Sequence, residues 1–375
     1  MNLTTFLNNK TLYYDKIDYD VISLSWDILK KHIKLPYVIH IVGTNGKGTT
    51  GRFLASFLVQ LGKKTLHYTS PHILKFNERI WINGKNSSDT ELNNAHRHLQ
   101  QILSSDLLDR LTYFEYTTLL AILISSGFDY IVLEAGLGGE FDATNVIESD
   151  LSIFTTIGLD HQEFLGDNIE SIAQTKMRSC NNSYIISKQI YNEVYKIEKE
   201  ILSKYQNIEY NNIQLPKQAT TLPTYLQDNL KTALNVLVHL KLPITNLTLD
   251  KLPSRFEYIA NNIIVDVGHN PLAAKVIYNE LKKQDQKIIL IYNSYKDKDY
   301  KEVLTILKPI INKVEIIECK DERIVDKMIL KDTLDTLDIK FDDFDINNIK
   351  DDLYLVFGSF LVVESFLKQY NQNVR

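Results

Sequence analysis

The segment from Val38 to Thr50, VIHIVGTNGKGTT, runs an apolar stretch into a glycine-rich turn that carries a lysine and threonines. Gly43, Gly46 and Gly48 lack a Cβ, so backbone N–H groups there can close on phosphate oxygens at a helix N-terminus. Lys47 is placed to reach β- and γ-phosphates, and the Thr49 hydroxyl to ligate Mg2+. The general phosphate-loop pattern sets the hydroxyl residue directly after the lysine, whereas Gly48 intervenes here. The alternative is a glycine turn that joins a strand to a helix and holds no ligand.

Further polar groups fall at comparable places. Glu134 closes an apolar run, YIVLE, that would be buried on both faces, where a carboxylate needs a cation or a donor. It faces either a Mg2+ ion or the turn that follows. His161, in GLDH, is either a metal ligand or a hydrogen-bonded loop histidine, with Asp160 beside it to orient the site. Lys176, on a helix that begins near Asn168, reads from its own surroundings as a solvated lysine. Asp266 and His269, in DVGHNP, are spaced so that a carboxylate can orient an imidazole across a tight turn; an N-cap and a turn histidine would have the same spacing. Arg255 is a candidate clamp for phosphate.

These groups need a scaffold that puts strand ends together. Short β-branched runs followed by helical patterns predict parallel strands with crossover helices: Tyr37 to Val42, Tyr130 to Glu134, Leu151 to Thr156, Tyr184 to Ser187, Ile263 to Val267, Lys287 to Tyr292, Val314 to Glu318 and Leu353 to Phe357. Phe53, Leu54, Phe57, Leu58 and Leu61 make one apolar stripe after the glycine turn, and Gly62 stops that helix. Ligands in open α/β sheets bind beyond the carboxyl ends of strands, which selects the glycine turn, Glu134 to Asn145 and Gly158 to Gly166. A polar, proline-bearing stretch near Asn246 to Asn262 marks a boundary. The expected fold class is α/β: a P-loop-type, mostly parallel sheet in residues 1–250, then a smaller Rossmann-like α/β domain in 251–375, with the active site in a cleft between them.

The balance of 42 basic against 47 acidic residues gives no broad cationic surface, and neither nucleic acid nor membrane is expected as a partner. Two cysteines far apart, Cys180 and Cys319, form no CxxC pair and no zinc pattern. The polar, acidic N-terminus has no apolar leader region, and the expectation is a cytoplasmic protein.

Together the motifs resemble one family, the bacterial folylpolyglutamate synthases and dihydrofolate synthases of the Mur ligase superfamily. The resemblance rests on GTNGKGT (Gly43–Thr49), TSPHILKFNERIWING (Thr69–Gly84), TYFEYTT (Thr112–Thr118), EAGLGGEFDATN (Glu134–Asn145), IGLDHQEFLG (Ile157–Gly166), IAQTK (Ile172–Lys176), DVGHNP (Asp266–Pro271) and FGSF (Phe357–Phe360). The intervening Gly48 is characteristic of this family.

The resemblance implies an ATP-dependent ligase that joins L-glutamate to dihydropteroate, to reduced folates, or to both, through an acyl phosphate. It implies that Thr44, Asn45, Gly46, Lys47, Gly48, Thr49, Asn229, Arg255 and Asp266 meet ATP. Thr49, Ser70, Glu134 and His161 would serve two Mg2+ ions, with Lys176 as a carbamylated ligand. Ser70, Pro71, His72, Arg79, Thr112, Phe114 and Asp142 would face the pteroate or folate. Lys47, Lys176, Asp266 and His269 would be catalytic, a monovalent cation is a further implied ligand, and the expected state is a monomer. Departures from the family pattern are Glu140 in place of an arginine, Met177 to Cys180 after Lys176, Val267 within DVGHNP, and Ser254 in place of a glycine before Arg255. Rival readings are a cell-wall ligase, which would lack the SPH and TYFE segments, and a nucleotide-binding, non-catalytic or regulatory Mur ligase-like protein.

Overall fold

The computed structural model describes residues 2–10, 18–284 and 286–373. Part of the N-terminal stretch read above for a leader lies outside the described residues. The chain divides into two compact units, residues 1–220 with 226–250, and residues 251–375 joined by the short segment Thr221–Tyr225.

The first unit is built on an eight-stranded sheet: β1 (Tyr37–Val42), β2 (Thr65–Tyr68), β3 (Ile80–Ile82), β4 (Lys85–Asn86), β5 (Tyr130–Glu134), β6 (Leu151–Phe154), β7 (Ser183–Ile186) and β8 (Gln206–Asn207). Their order is β4-β3-β2-β5-β1-β6-β7-β8, and only the β2–β3–β4 edge is antiparallel. The central strand β1 is buried along nearly its whole length, which is why it reads as a continuous apolar run and not as an alternation. β5 and β6 flank it in parallel, with Ile41 opposite Glu134 and Val42 opposite Phe154. The glycine turn, the loop after Glu134 and the loop after Phe154 therefore leave one sheet edge side by side.

The helix Lys47–Gln60 follows the glycine turn and buries Phe53, Leu54, Phe57 and Leu58. It ends where Gly62 takes φ +76°, a conformation that any residue with a Cβ resists. Against the sheet packs the helix Tyr113–Ile124, buried on almost every side, started by a reciprocal Thr112–Glu115 capping box.

The second unit holds six strands: β9 (Glu257–Ala260), β10 (Ile263–Val265), β11 (Ile288–Tyr292), β12 (Ile311–Ile316), β13 (Phe341–Asp343) and β14 (Tyr354–Phe357). Their order is β13-β12-β11-β14-β10-β9, parallel except for β9. Its core joins Ile264, Leu290, Val314, Leu355 and Phe357 to the helices that cover the sheet.

Six short strands escaped the sequence reading: β2, β3, β4, β8, β9 and β13. Each has four residues or fewer, and β4, β8 and most of β13 are polar, so no apolar run marks them. Thr155 and Thr156, read as the end of a strand, instead leave the ladder. Thr156 O accepts from Thr44 N (3.0 Å) and Asn45 N (3.1 Å) and so holds the glycine turn.

Candidate active site

The glycine turn is shaped by contacts that its glycines permit. A Cβ on Gly43 would lie 1.9 Å from Thr155 Oγ1, and one on Gly46, at φ +89°, would lie 2.6 Å from Asn229 Oδ1. Thr44 Oγ1 donates to Gly158 O (2.9 Å), tying the turn to the loop that follows β6. Lys47 folds back so that Nζ donates to Gly43 O and Thr44 O, both at 3.2 Å. Thr49 Oγ1 donates to Gly46 O (3.0 Å) and accepts from Asn229 Nδ2 (2.6 Å). Asn229 thus buttresses the first turn of the helix Lys47–Gln60.

Glu134 lies directly against this turn. A Cβ on Gly48 would come within 3.2 Å of its Oε2, and the same oxygen accepts from the Thr69 hydroxyl and from Ser70 N (3.3 Å). Thr49, Ser70 and Glu134 are therefore gathered at the head of one helix.

Lys176 is buried, with Nζ donating to Gly43 O at 3.0 Å. Burial pushes its pKa down to about 7; the neighbouring Lys47 acts in the same direction, and Asp160 and Asp142 oppose it. The reading of Lys176 as a solvated lysine does not hold, because the helix Ile169–Met177 turns this side chain under the glycine turn. His161, at φ +52°, begins a short helix one residue after Asp160, whose Oδ1 accepts its N–H (2.9 Å).

Two of the departures from the family pattern meet each other. Arg178 NH1 stands 3.4 Å from Glu140 Oε2, and Glu140 N donates to Thr175 O (2.9 Å). Gly139 lets the strands of chain approach: a Cβ there would sit 2.8 Å from Lys176 O. A third departure, Ser254, takes φ +54°, a left-handed conformation that glycine would adopt without strain.

The segment after β2 is stapled on itself. Ser70–Pro71 is a cis peptide, Glu78 accepts from the N–H groups of Ile73, Leu74 and Lys75, and Arg79 Nε donates to His72 Nδ1 (2.8 Å). Arg79 also lies over the Tyr113 ring (5.2 Å). Phe114 packs so close to Gly136 that a Cβ there would be 2.7 Å from its ring. Asp142 is buried, accepting from Leu137 N (2.8 Å) and Thr144 N (2.9 Å); burial raises its pKa although these donors favour the ionised form.

In the second unit Asp266 is buried among three donors: Gly268 N (2.8 Å), Phe256 N (2.8 Å) and Tyr225 Oη (2.9 Å). Burial raises its pKa, and Arg255 is the largest influence in the other direction. His269 Nδ1 is 3.2 Å from Val267 O, and Asn270 caps the helix Pro271–Leu281. Tyr225, Thr69, Thr144 and His40 were not singled out in the sequence; a lone tyrosine in PTYLQDN carries no motif.

Residues 41–248 match the Mur ligase middle domain. A dihydrofolate synthase/folylpolyglutamate synthase of Buchnera aphidicola is 34% identical, with 88% of this chain and 89% of the relative covered. The chain belongs to the dihydrofolate synthase/folylpolyglutamate synthase family. Among solved members, Helicobacter pylori folylpolyglutamate synthetase is 39% identical with a TM-score of 0.78, covering 99% of this chain and 98% of that one. A bifunctional folylpolyglutamate synthase/dihydrofolate synthase with Mn, AMPPNP and L-glutamate bound is 25% identical with a TM-score of 0.84, covering 98% and 97%. The glycine turn and Glu134 thus lie in a chain that matches members of this family nearly end to end.

Proposed function

We propose that this protein is an ATP-dependent ligase that joins L-glutamate to dihydropteroate, to reduced folates, or to both, through an acyl phosphate. The observation that carries this reading is the convergence on one glycine turn of Lys47, Lys176 and the Glu134 carboxylate. Such a site neutralises a polyphosphate and orients its terminal phosphoryl group toward a carboxylate nucleophile. ATP would be held by the backbone from Thr44 to Thr49, with Asn229 bracing Thr49; the family resemblance adds Arg255 and Asp266 as ATP contacts.

Thr49, Ser70 and Glu134 supply hard oxygen donors, a set that suits Mg2+, with His161 as a further ligand. Bound there, Mg2+ lends charge neutralisation to the phosphates. Lys176 would be the carbamylated ligand: a lysine held near neutrality offers its lone pair to CO2, forming the N–C bond and releasing a proton to solvent, and the cation becomes an oxygen donor. The monovalent cation rests on the family resemblance alone.

The pteroate or folate would lie against Ser70, Pro71, His72 and Arg79, with Thr112, Phe114 and Asp142 on the pterin side. Phe114 and Asp142 both meet Gly136, which supports use of dihydropteroate as well as folates. His269 would act on the attacking glutamate amine. Among the described residues no helix is long and apolar enough to cross a membrane; a cytoplasmic monomer is the state we propose.

Phosphate release with ATP, glutamate and either dihydropteroate or tetrahydrofolate tests the reading. Turnover with either acceptor supports it; nucleotide binding without turnover on any pteroate or folate would leave the non-catalytic alternative standing.

A further inference from the structure

Beneath Asp142 runs a chain of buried polar groups. His40, in the middle of β1, is almost fully buried, and its Nε2 lies 2.8 Å from Thr144 Oγ1. Thr144 is itself buried, and its hydroxyl donates to Asp142 Oδ1, the oxygen that also accepts Thr144 N. An ionised carboxylate only accepts, so the hydroxyl proton points at Asp142 and the hydroxyl lone pairs face His40. Nε2 is then the protonated nitrogen of a neutral imidazole. Its Nδ1 has no hydrogen-bond partner among the described residues, so the ring is held by this one bond and by packing.

We infer that His40 and Thr144 are positioning residues that fix the Asp142 carboxylate as the acceptor for the N–H donors of the pteridine ring. The inference rests on the proposed contact between Asp142 and the pterin. The direction of the chain matters: Thr144 spends its only proton on Oδ1, and His40 keeps that proton from rotating toward another acceptor. Leu137 N anchors Oδ2 from the opposite side at 2.8 Å. The carboxylate is thereby clamped at both oxygens, and its plane is set by β1 and by the turn Ala143–Val146 before substrate arrives.

The test uses the full-length protein with ATP and glutamate held fixed, and compares Thr144→Val, Thr144→Ser, His40→Leu and Asp142→Asn. Loss of a hydrogen bond to a charged group predicts a KM for dihydropteroate raised on the order of tenfold in Thr144→Val. The KM values for ATP and glutamate should stay within about twofold of wild type. Thr144→Ser, which keeps the hydroxyl, should restore the wild-type KM, and His40→Leu should shift it in the same direction as Thr144→Val by a smaller factor. Thermal unfolding of each variant, with calorimetric binding of dihydropteroate to the folded fraction, serves if turnover is lost. Equal rises in all three KM values, no rescue by serine, or a normal dihydropteroate KM in Thr144→Val while Asp142→Asn raises it would overturn the relay. A normal dihydropteroate KM in Asp142→Asn would instead overturn the placement of the pterin, and the relay with it.

Discussion

Replacing Lys176 by methionine should make the protein more stable while abolishing turnover. The lysine is buried, and its pKa falls from 10.5 to about 7, chiefly through burial. At roughly 1.4 kcal/mol per pH unit, the fall from 10.5 to about 7 corresponds to on the order of 5 kcal/mol of native-state destabilisation well below pH 7. The sign is fixed by proton counts. Below pH 7 both states carry the proton and the native state bears the whole cost; between 7 and 10.5 the unfolded chain holds more protons, so stability rises with pH. Above 10.5 both are neutral and the cost is gone. Methionine keeps the length of the side chain and removes the charge, but it loses the bond to Gly43 O, worth about 1 kcal/mol. A net gain of about 3 kcal/mol at pH 7 follows, where the native lysine is already half deprotonated, and it shrinks by about 2 kcal/mol between pH 7 and pH 9. Urea unfolding of both proteins at those pH values, in buffer freed of CO2, measures it. A variant less stable than wild type at pH 7, or a difference that does not change with pH, would refute the argument that Lys176 is a desolvated cation.

Lys47→Ala should abolish phosphate release yet leave the unfolding midpoint close to wild type, since its ammonium donates to carbonyls of its own turn; near-normal turnover would remove Lys47 from the phosphate site. Gly43→Ala drives a methyl into Thr155 Oγ1 and should cost about 1–3 kcal/mol and raise the KM for ATP; adding Thr155→Ala should recover part of both. Tyr225→Phe takes a donor from Asp266, so the carboxyl pKa rises further and the acid limb of the kcat profile should move to higher pH. His67→Leu removes a buried imidazole with no hydrogen-bond partner at either nitrogen among the described residues, and calorimetry should show a gain of about 1–3 kcal/mol. That gain should grow below pH 6.5, because burial and Arg52 hold His67 neutral in the native state while the unfolded chain binds its proton.

How much the sequence disclosed depends on how local each signal was. β1 and β5 were legible from end to end because their apolar runs are continuous and the glycine turn punctuates the first. β2 and β3 were not: each has four residues or fewer and they include His67 and Trp81; β2 pairs with β5, more than sixty residues on, while the hairpin that Asn83 and Gly84 make between β3 and β4 went unread. Glu140 and Arg178 were each visible as departures, but 38 residues separate them and only the fold makes them partners. Tyr225 was hidden for the same reason, its acceptor lying 41 residues downstream. His40 was not singled out, since a strand that is apolar on both faces gives no reason to pick one of its side chains.

The helix Thr224–His239 starts in the second unit and continues in the first: Tyr225 binds Asp266, and four residues on Asn229 binds Thr49. For protein dissection this has a direct consequence. A fragment begun at Lys251, where the boundary is most obvious, would be born without the Tyr225 hydroxyl and without the Thr224 amide that donates to Glu280. On the ribosome the order is reversed, with those groups emerging first and waiting several seconds for their acceptors at ordinary elongation rates. A C-terminal fragment that folds with a native Asp266 must therefore carry 221–225 with it, supplied in trans or spliced back by circular permutation.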